Sequence, residues 1–423
     1  MTFICLAQGS LAWALITPGS MKKYITILLS MGLVLACQHP EVQYADFDTF
    51  KVTSTKCTDA FMANGSLNPD VLLLENEEDE TKIAKTSGVE IVRSMIGTMN
   101  CNKLVHIAGT YRGHDVDGSP ITLSGKLILP KNGPVKNMVL VSHFTIGSNG
   151  ECPSEAFPLE GILATKGYAV VIADYIGFGV TRDRIHPYMH VESTARAVMD
   201  MGLAVKPYLE HIGRKPESDK VILFGYSQGG STTLGVMKMI QNECADVLPL
   251  EKVYAGAGPY DLAATYDVAV EEDQTGIPCA IPMIIQGVNY GHNMGLEMKD
   301  FFKSPLLENY QEWINSKDYT VHQINKLIGA KSLRDIMTDE ARDKRNPKTA
   351  TLYKSLMINS VLDFSPSVPL HMFHSRQDKT VPFVNSQKAE KYFKGQNVTY
   401  DFGDYGAHAS GFVRFLFYVV NTL

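Results

Sequence analysis

The sequence predicts an α/β fold: a mostly parallel central sheet flanked by helices, with a helical cap inserted late in the sheet. Three observations predict it. Short apolar runs alternate with helical patterns between Met138 and Ala257, as parallel strands joined by crossover helices do. That alternation stops over residues 262–364 and resumes at Leu370. Finally, the apolar run Val221-Ile222-Leu223-Phe224 passes through Gly225-Tyr226-Ser227-Gln228-Gly229 directly into a helix-compatible stretch, Gly230 to Met239.

Taken in order, Leu104–Tyr111 and Ile121–Leu129 read as strands, and Asp117-Gly118 between them is a turn signal, so the pair is an expected antiparallel hairpin. Met138–Ser142 is a short apolar strand, followed by a loop from His143 to Pro153 and a helix around Phe157–Lys166. Tyr168–Ala173 reads as a fully buried strand ending at Asp174. Ser193–Leu209 has helical periodicity, with Ala197, Met201, Ala204, Val205 and Tyr208 on one face. Lys220–Phe224 and Val253–Ala257 are the next strands. Helical segments are expected at Met298–Phe302, Leu306–Ile314 and Leu333–Asp343, then a strand at Leu370–His374, a helix near Val384–Phe393, a strand at Val398–Phe402 and a last helix from about Gly411. The resulting division is an N-terminal export segment (1–37), an N-terminal extension (38–100), a core in two pieces (101–261 and 365–423) and a helical cap (262–364). No internal repeat or low-complexity tract interrupts it. The acidic run Glu75-Asn76-Glu77-Glu78-Asp79-Glu80 reads as a solvated face.

Composition narrows the function. The 423 residues suffice for a substantial core, and 45% hydrophobic with 20% charged content is ordinary for a globular protein. A formal net charge of -6 argues against nucleic-acid binding, which needs a basic face. No internal run is long and apolar enough to span a membrane. The N-terminus differs: Met21-Lys22-Lys23 is a positive region, and Tyr24 to Ala36 is apolar and of signal-peptide length. Val34-Leu35-Ala36-Cys37 resembles a bacterial lipobox, which makes Cys37 the expected lipidation site and mature N-terminus. The alternative is an ordinary secretory signal cut elsewhere. Residues 1–20 precede a second plausible start at Met21 and read as an over-extension of the reading frame. Five cysteines remain in the body, Cys57, Cys101, Cys152, Cys244 and Cys279, so at least one thiol is unpaired in a monomer.

The chemistry is concentrated in three places. A serine at a sharp strand-to-helix turn, with glycine two residues to either side, describes a nucleophile elbow: the turn is strained, and the glycines remove side chains that would clash. Ser227 is therefore the expected nucleophile. A serine hydroxyl needs an imidazole to take its proton, and the imidazole needs a carboxylate to fix its tautomer. Where the elbow occurs, the acid follows a late core strand and the histidine comes last. Asp378 fits the acid in Ser375-Arg376-Gln377-Asp378-Lys379-Thr380-Val381-Pro382. Asp363 precedes the strand, while Asp401 and Asp404 lie too near the histidine loop. His408 is the only histidine after Asp378, so it is the expected base. Gln228 N–H supplies one oxyanion donor. The second belongs to the loop His143-Phe144-Thr145-Ile146-Gly147, where Thr145 takes the donor place and Phe144 is the alternative. Phe144, Tyr226 and His186 are assigned to the substrate pocket, although His186-Pro187-Tyr188 suits a packing role equally well. Asp174 reads as structural. His371 and His374 lie three apart on a strand and face opposite sides, so they form no metal pair. No metal or cofactor is expected.

Together these phrases resemble one branch of the α/β-hydrolase superfamily, the secretory-lipase-like esterases, related to the hydrolase domain of prolyl-oligopeptidase-type serine peptidases. The resemblance rests on Ala173-Asp174-Tyr175-Ile176-Gly177-Phe178-Gly179, His186-Pro187-Tyr188, Gly225-Tyr226-Ser227-Gln228-Gly229-Gly230, Gly258-Pro259-Tyr260-Asp261-Leu262 and the loops of Asp378 and His408. It spans Leu104 to the C-terminus. It implies the α/β-hydrolase fold and hydrolysis of small-molecule or lipid carboxylic esters through an acyl-serine, with the cap governing selectivity. Combined with Cys37, it implies an enzyme at the cell envelope, held to the membrane only by an N-terminal lipid, or else secreted. Two other readings compete. A serine peptidase of the related type normally carries a β-propeller ahead of the hydrolase domain, for which the stretch after Cys37 is too short. A non-catalytic envelope binding protein would not need every triad member in the correct order.

Overall fold

The computed structural model describes residues 47–56, 103–273 and 277–423. The expected export segment with Cys37, the acidic run at Glu75–Glu80, and Cys57 and Cys101 lie outside the described residues. Among the described residues, nine strands form one sheet: β1 (Phe47–Lys56), β2 (Lys103–His114), β3 (Pro120–Pro130), β4 (Met138–Ser142), β5 (Ala169–Ala173), β6 (Val221–Tyr226), β7 (Leu250–Gly256), β8 (Leu370–Ser375) and β9 (Val398–Gly403). Their spatial order is β1-β2-β3-β5-β4-β6-β7-β8-β9. From β5 across to β9 every pairing is parallel, and β1, β2 and β3 extend the sheet antiparallel. This is the α/β-hydrolase arrangement, a mixed sheet with helices on both faces.

The apolar runs of the central strands explain why they sit in the middle. β4, β5 and β6 are buried along their whole length, as strands covered on both faces must be. Alternate side chains serve opposite layers. Val139, Val141, Ile222 and Phe224 point into one core together with Phe412, Phe415 and Leu416 of the C-terminal helix. Leu140 faces the other side, where Gly202 of the long helix α1 (Val191–His211) lies so close that a Cβ there would stand 2.9 Å from the leucine side chain. The helix α2 (Gln228–Glu243) follows β6 and packs beside α1.

Between β7 and β8 the chain builds the helical layer: α3 (Leu262–Glu272), α4 (Ala280–Gly291), α5 (Val321–Ile328) and α6 (Pro347–Ile358), with shorter turns between them. Tyr266, Ile285, Phe301, Phe302, Leu352 and Leu356 give it an apolar core of its own. Asp261 starts α3 by accepting Ala264 N–H at 2.9 Å, and Thr320 with Gln323 forms a capping box on α5. After β8 come α7 (Val384–Tyr392) and α8 (His408–Thr422).

Four expectations are corrected. The stretch 38–100 contains a strand, β1, that pairs with β2. Its sequence, Phe-Asp-Thr-Phe-Lys-Val-Thr-Ser-Thr-Lys, is mostly polar because it lies at the sheet edge with Phe50 and Val52 exposed. The helix expected at Phe157–Lys166 is a 3-10 segment, Leu159–Lys166. Leu333–Asp343 is two short helices, Leu333–Ile336 and Asp339–Arg342, because the Thr338 hydroxyl accepts Ala341 N–H and starts a new one. The last helix begins at His408, three residues ahead of Gly411, so the histidine opens a helix and does not sit in a loop.

Phe415 is fully buried, with its ring 5.6 Å from Phe224 and 5.1 Å from Phe373. Phe415→Ala is expected to lower stability by about 3–5 kcal/mol, measured by urea denaturation; a loss below 1 kcal/mol would contradict this account of the core.

Candidate active site

The strand order reverses at β4, whose chain leaves toward β5 on one side while β6 lies on the other. In open α/β sheets this is where a crevice forms beyond the strand ends. Two segments enter it: the loop after β4, carrying His143, Phe144 and Thr145, and the turn after β6, carrying Ser227.

Ser227 has φ 59° and ψ -127°, a strained backbone for a residue with a side chain. The surroundings impose it. Ser227 N–H donates to Gly256 O at 2.9 Å, and Gly230 N–H donates back to Ser227 O at 2.8 Å. A Cβ on Gly229 would lie 1.9 Å from Ser142 O, and one on Gly225 would lie 2.3 Å from Gly229 O. The glycines thus let the first turn of α2 press on the backbone at the end of β4, which pushes Ser227 out of the sheet. Gln228 is the first residue of α2.

Asp378 and His408 meet. His408 Nδ1 lies 2.5 Å from Asp378 Oδ2, and the aspartate side chain is fully buried. Asp378 Oδ1 accepts the Thr380 and Val381 N–H groups at 2.8 and 2.9 Å. Burial by itself would raise this carboxyl, but the neighbouring His408 and the hydrogen bonds from His374 and His408 hold it well below the usual carboxylate range. The loops after β8 and β9 are laced together: Ser375 Oγ donates to Gly406 O at 2.6 Å, and Gly406 N–H donates to Gln377 Oε1 at 2.8 Å. The rival carboxylates are engaged elsewhere or exposed. Asp363 pairs with Lys238, Asp401 accepts the Tyr405 hydroxyl, and Asp404 is exposed.

Sequence reasoning set His374 aside after asking only about metals. The structure places it fully buried behind Asp378, with Nε2 3.2 Å from Asp378 Oδ2 and 3.1 Å from Val381 O. Both neighbours are oxygen acceptors, so Nε2 carries the proton, and in the neutral ring Nδ1 accepts the Ser386 hydroxyl at 2.7 Å. Its place four residues before Asp378, at the end of the same strand, is the signal that would have found it.

Ser227, His408, Phe144, Thr145, Tyr226 and Phe412 share one cavity of about 660 Å³. Thr320, Val321 and His322 close it from the helical layer. Phe144 meets Phe412 edge to face at 5.5 Å, and the Thr145 hydroxyl lies 2.7 Å from the Tyr188 hydroxyl. Tyr226 contributes ring surface, but its hydroxyl is committed, donating to His408 O at 2.7 Å. It therefore positions the histidine backbone. His186 does not line this cavity. It is buried beneath it, where Nδ1–H donates to Ile176 O at 2.7 Å and Nε2 accepts from the Gln228 side chain at 3.2 Å. These contacts fit the packing alternative for His186. Asp174 is structural too, accepting Ser154 N–H at 2.8 Å and the Ser124 hydroxyl at 2.6 Å. Among the described residues no group of three or more metal-ligating side chains converges. Cys152, Cys244 and Cys279 are buried free thiols, each pushed up to about 12, chiefly by burial.

Burial also holds four histidines neutral, lowering His106, His143 and His190 to about 4 and His186 to about 3. Their folded values lie below the unfolded one near 6.5, so the unfolded chain takes up protons first as pH falls. Their stabilising contribution is complete above about pH 6.5 and is lost on the way down toward pH 4 and 3. Urea unfolding at pH 7 and 5 is expected to show a loss of at least about 2 kcal/mol; equal stability at both would contradict the buried, neutral state of these rings.

A family model described as secretory lipase matches residues 154–411. The chain is 25% identical over 305 residues to Lipase 6 of Candida albicans, an alignment covering 66% of this chain and 63% of that lipase, less than two thirds of its length. A mutant of the rice cell wall degrading esterase LipA from Xanthomonas oryzae superimposes with a TM-score of 0.65 at 26% identity, over 76% of this chain and 89% of that one. Candida antarctica lipase A shares the fold, with a TM-score of 0.55, 15% identity and 74% of each chain covered.

Proposed function

Because the chain belongs to the secretory lipase family, we propose that it is an exported serine hydrolase that cleaves carboxylic esters. The contact between His408 and Asp378, in the cavity that holds the strained Ser227, is the observation that carries this reading. The relatives point the same way, being lipases and an esterase.

In the proposed reaction the Ser227 hydroxyl attacks the ester carbonyl carbon while His408 Nε2 takes its proton. Asp378 accepts the Nδ1–H bond and stabilises the imidazolium that results. The negative charge on the former carbonyl oxygen falls at the start of α2, where Gln228 N–H donates, with a second donor from the Phe144–Thr145 segment. Collapse breaks the bond to the alcohol oxygen, which leaves with the proton from His408. Water, deprotonated by His408, then releases the acid from the acyl-serine. The three residues 320–322 and Phe412 frame the space the ester arms occupy. His374 is a positioning residue: its Nε2–H helps hold Asp378 ionised and oriented. The N-terminal segment ending at Cys37 is proposed to direct export and to carry a lipid anchor.

Ser227→Ala is expected to fold, to lose labelling by a fluorophosphonate probe and to cut p-nitrophenyl butyrate turnover by about 10⁴-fold or more. Asp378→Asn is expected to lose about 10⁴-fold in kcat. Turnover within tenfold of wild type in folded Ser227→Ala would remove this serine from the mechanism.

A further inference from the structure

The cavity that holds Ser227 has a second end, built from the antiparallel part of the sheet. Lys51 of β1 stands opposite Ala108 of β2, and Ala108 stands opposite Lys126 of β3. Directly opposed residues share a face, so two lysines flank one small alanine in a single row. Thr53 and His106 form the neighbouring row on the same face. These five residues all line the cavity. Lys126 is only 6% exposed, and its ammonium donates to Ala156 O, which uses one of three N–H groups.

We propose that this end of the cavity is a carboxylate-binding subsite, so that the preferred esters carry a free carboxylate on an extended arm; this rests on the reading of Ser227 as an ester-cleaving nucleophile. The surrounding charges favour it. Burial, with Lys51 acting in the same sense, lowers Lys126 to about 8, whereas Asp174 and Glu155 oppose the shift. Asp174 has both carboxylate oxygens bonded to Ser124 and Ser154, and Glu155 is exposed at the rim. Two more acids line the cavity: Glu151, raised by burial, accepts the Gly147 and Ser148 N–H groups, and Glu160 is pushed up to about 7 by burial and carries only part of a charge at neutral pH. His106 is held neutral there, chiefly by burial and then by Lys126, so it adds no charge of its own. A buried ammonium close to another cation gains from an anion more than an exposed one does. Lys126 lies in register with Ile172, Val141 and Phe224 across β5, β4 and β6, three strand spacings or roughly 14 Å from the strand that delivers Ser227. A carboxylate at the end of a chain of several carbons can bridge that gap.

The test compares p-nitrophenyl monoesters of dicarboxylic acids, from glutarate to sebacate, with p-nitrophenyl esters of monocarboxylic acids of matching length. Butyrate esters of ω-hydroxy acids against those of plain alcohols, followed by pH-stat, probe the alcohol arm. On one arm and at one length, kcat/KM is expected to favour the carboxylated member at least tenfold, with the preference shrinking at high salt and above pH 8. Lys126→Met and Lys51→Gln are each expected to lower that ratio at least fivefold; the ratio is unaffected by any inactive fraction, and Lys51 lies on an exposed strand outside the core. Ratios near one at every length on both arms, or a preference that both variants leave intact, would overturn the subsite. Wild-type protein that neither hydrolyses the neutral esters nor labels with a fluorophosphonate would sink the esterase reading and this subsite with it.

Discussion

A buried negative charge organises this molecule. Asp378 has no exposed side-chain surface, and an isolated carboxylate in that position would simply take up a proton. Two imidazoles and two backbone N–H groups converge on its oxygens and keep it ionised. Those partners come from the end of β8, the turn after it and the start of α8. Satisfying one carboxylate therefore fixes where three segments end relative to each other. The Ser375 and Gln377 bonds to Gly406, and the Tyr226 hydroxyl on His408 O, close the same ring of constraints from the neighbouring strands.

The elbow adds a second constraint, steric in place of electrostatic. At Gly229 the distance to Ser142 O leaves no room for a side chain, so β4 and the start of α2 are locked in contact. The loop after β4 and the serine turn then share one crevice. The strain at Ser227 is held by backbone hydrogen bonds to Gly256 at the end of β7 and from Gly230 in the first turn of α2. The site is thus stiff where the proposed chemistry occurs, and its walls come from more peripheral pieces.

What the sequence made legible follows from which forces act locally. The parallel strands could be read because burial on both faces demands continuous apolar runs, as in Val170–Ile172 and Val221–Phe224. Ser227, Asp378 and His408 could be nominated because the turn geometry and the chain order leave few candidates; the structure brings His408 against Asp378 and sets it in one cavity with Ser227. β1 was not legible: an edge strand with one wet face, such as Lys51-Val52-Thr53-Ser54, has no reason to be apolar. His186 was misplaced because a histidine near a loop gives no sign of which layer it enters. Its neighbours Ile176 and Gln228 belong to different segments, and only the assembled fold brings them to its two nitrogens. His374 escaped for a related reason, since its partner Asp378 is near in sequence but its role depends on burial that sequence does not display.

The large cavity draws its floor and its roof from different stretches of the chain. The floor belongs to the sheet, its antiparallel strands and the loops that leave the parallel ones, whereas residues 320–322 of the roof sit on a helical layer with a separate apolar core. Mutations that reshape the roof therefore leave the packing around Asp378 and Ser227 undisturbed. Such a lineage can drift among substrates while the proposed bond-breaking apparatus is preserved, so that change at the roof and constancy at the floor proceed side by side within one polypeptide.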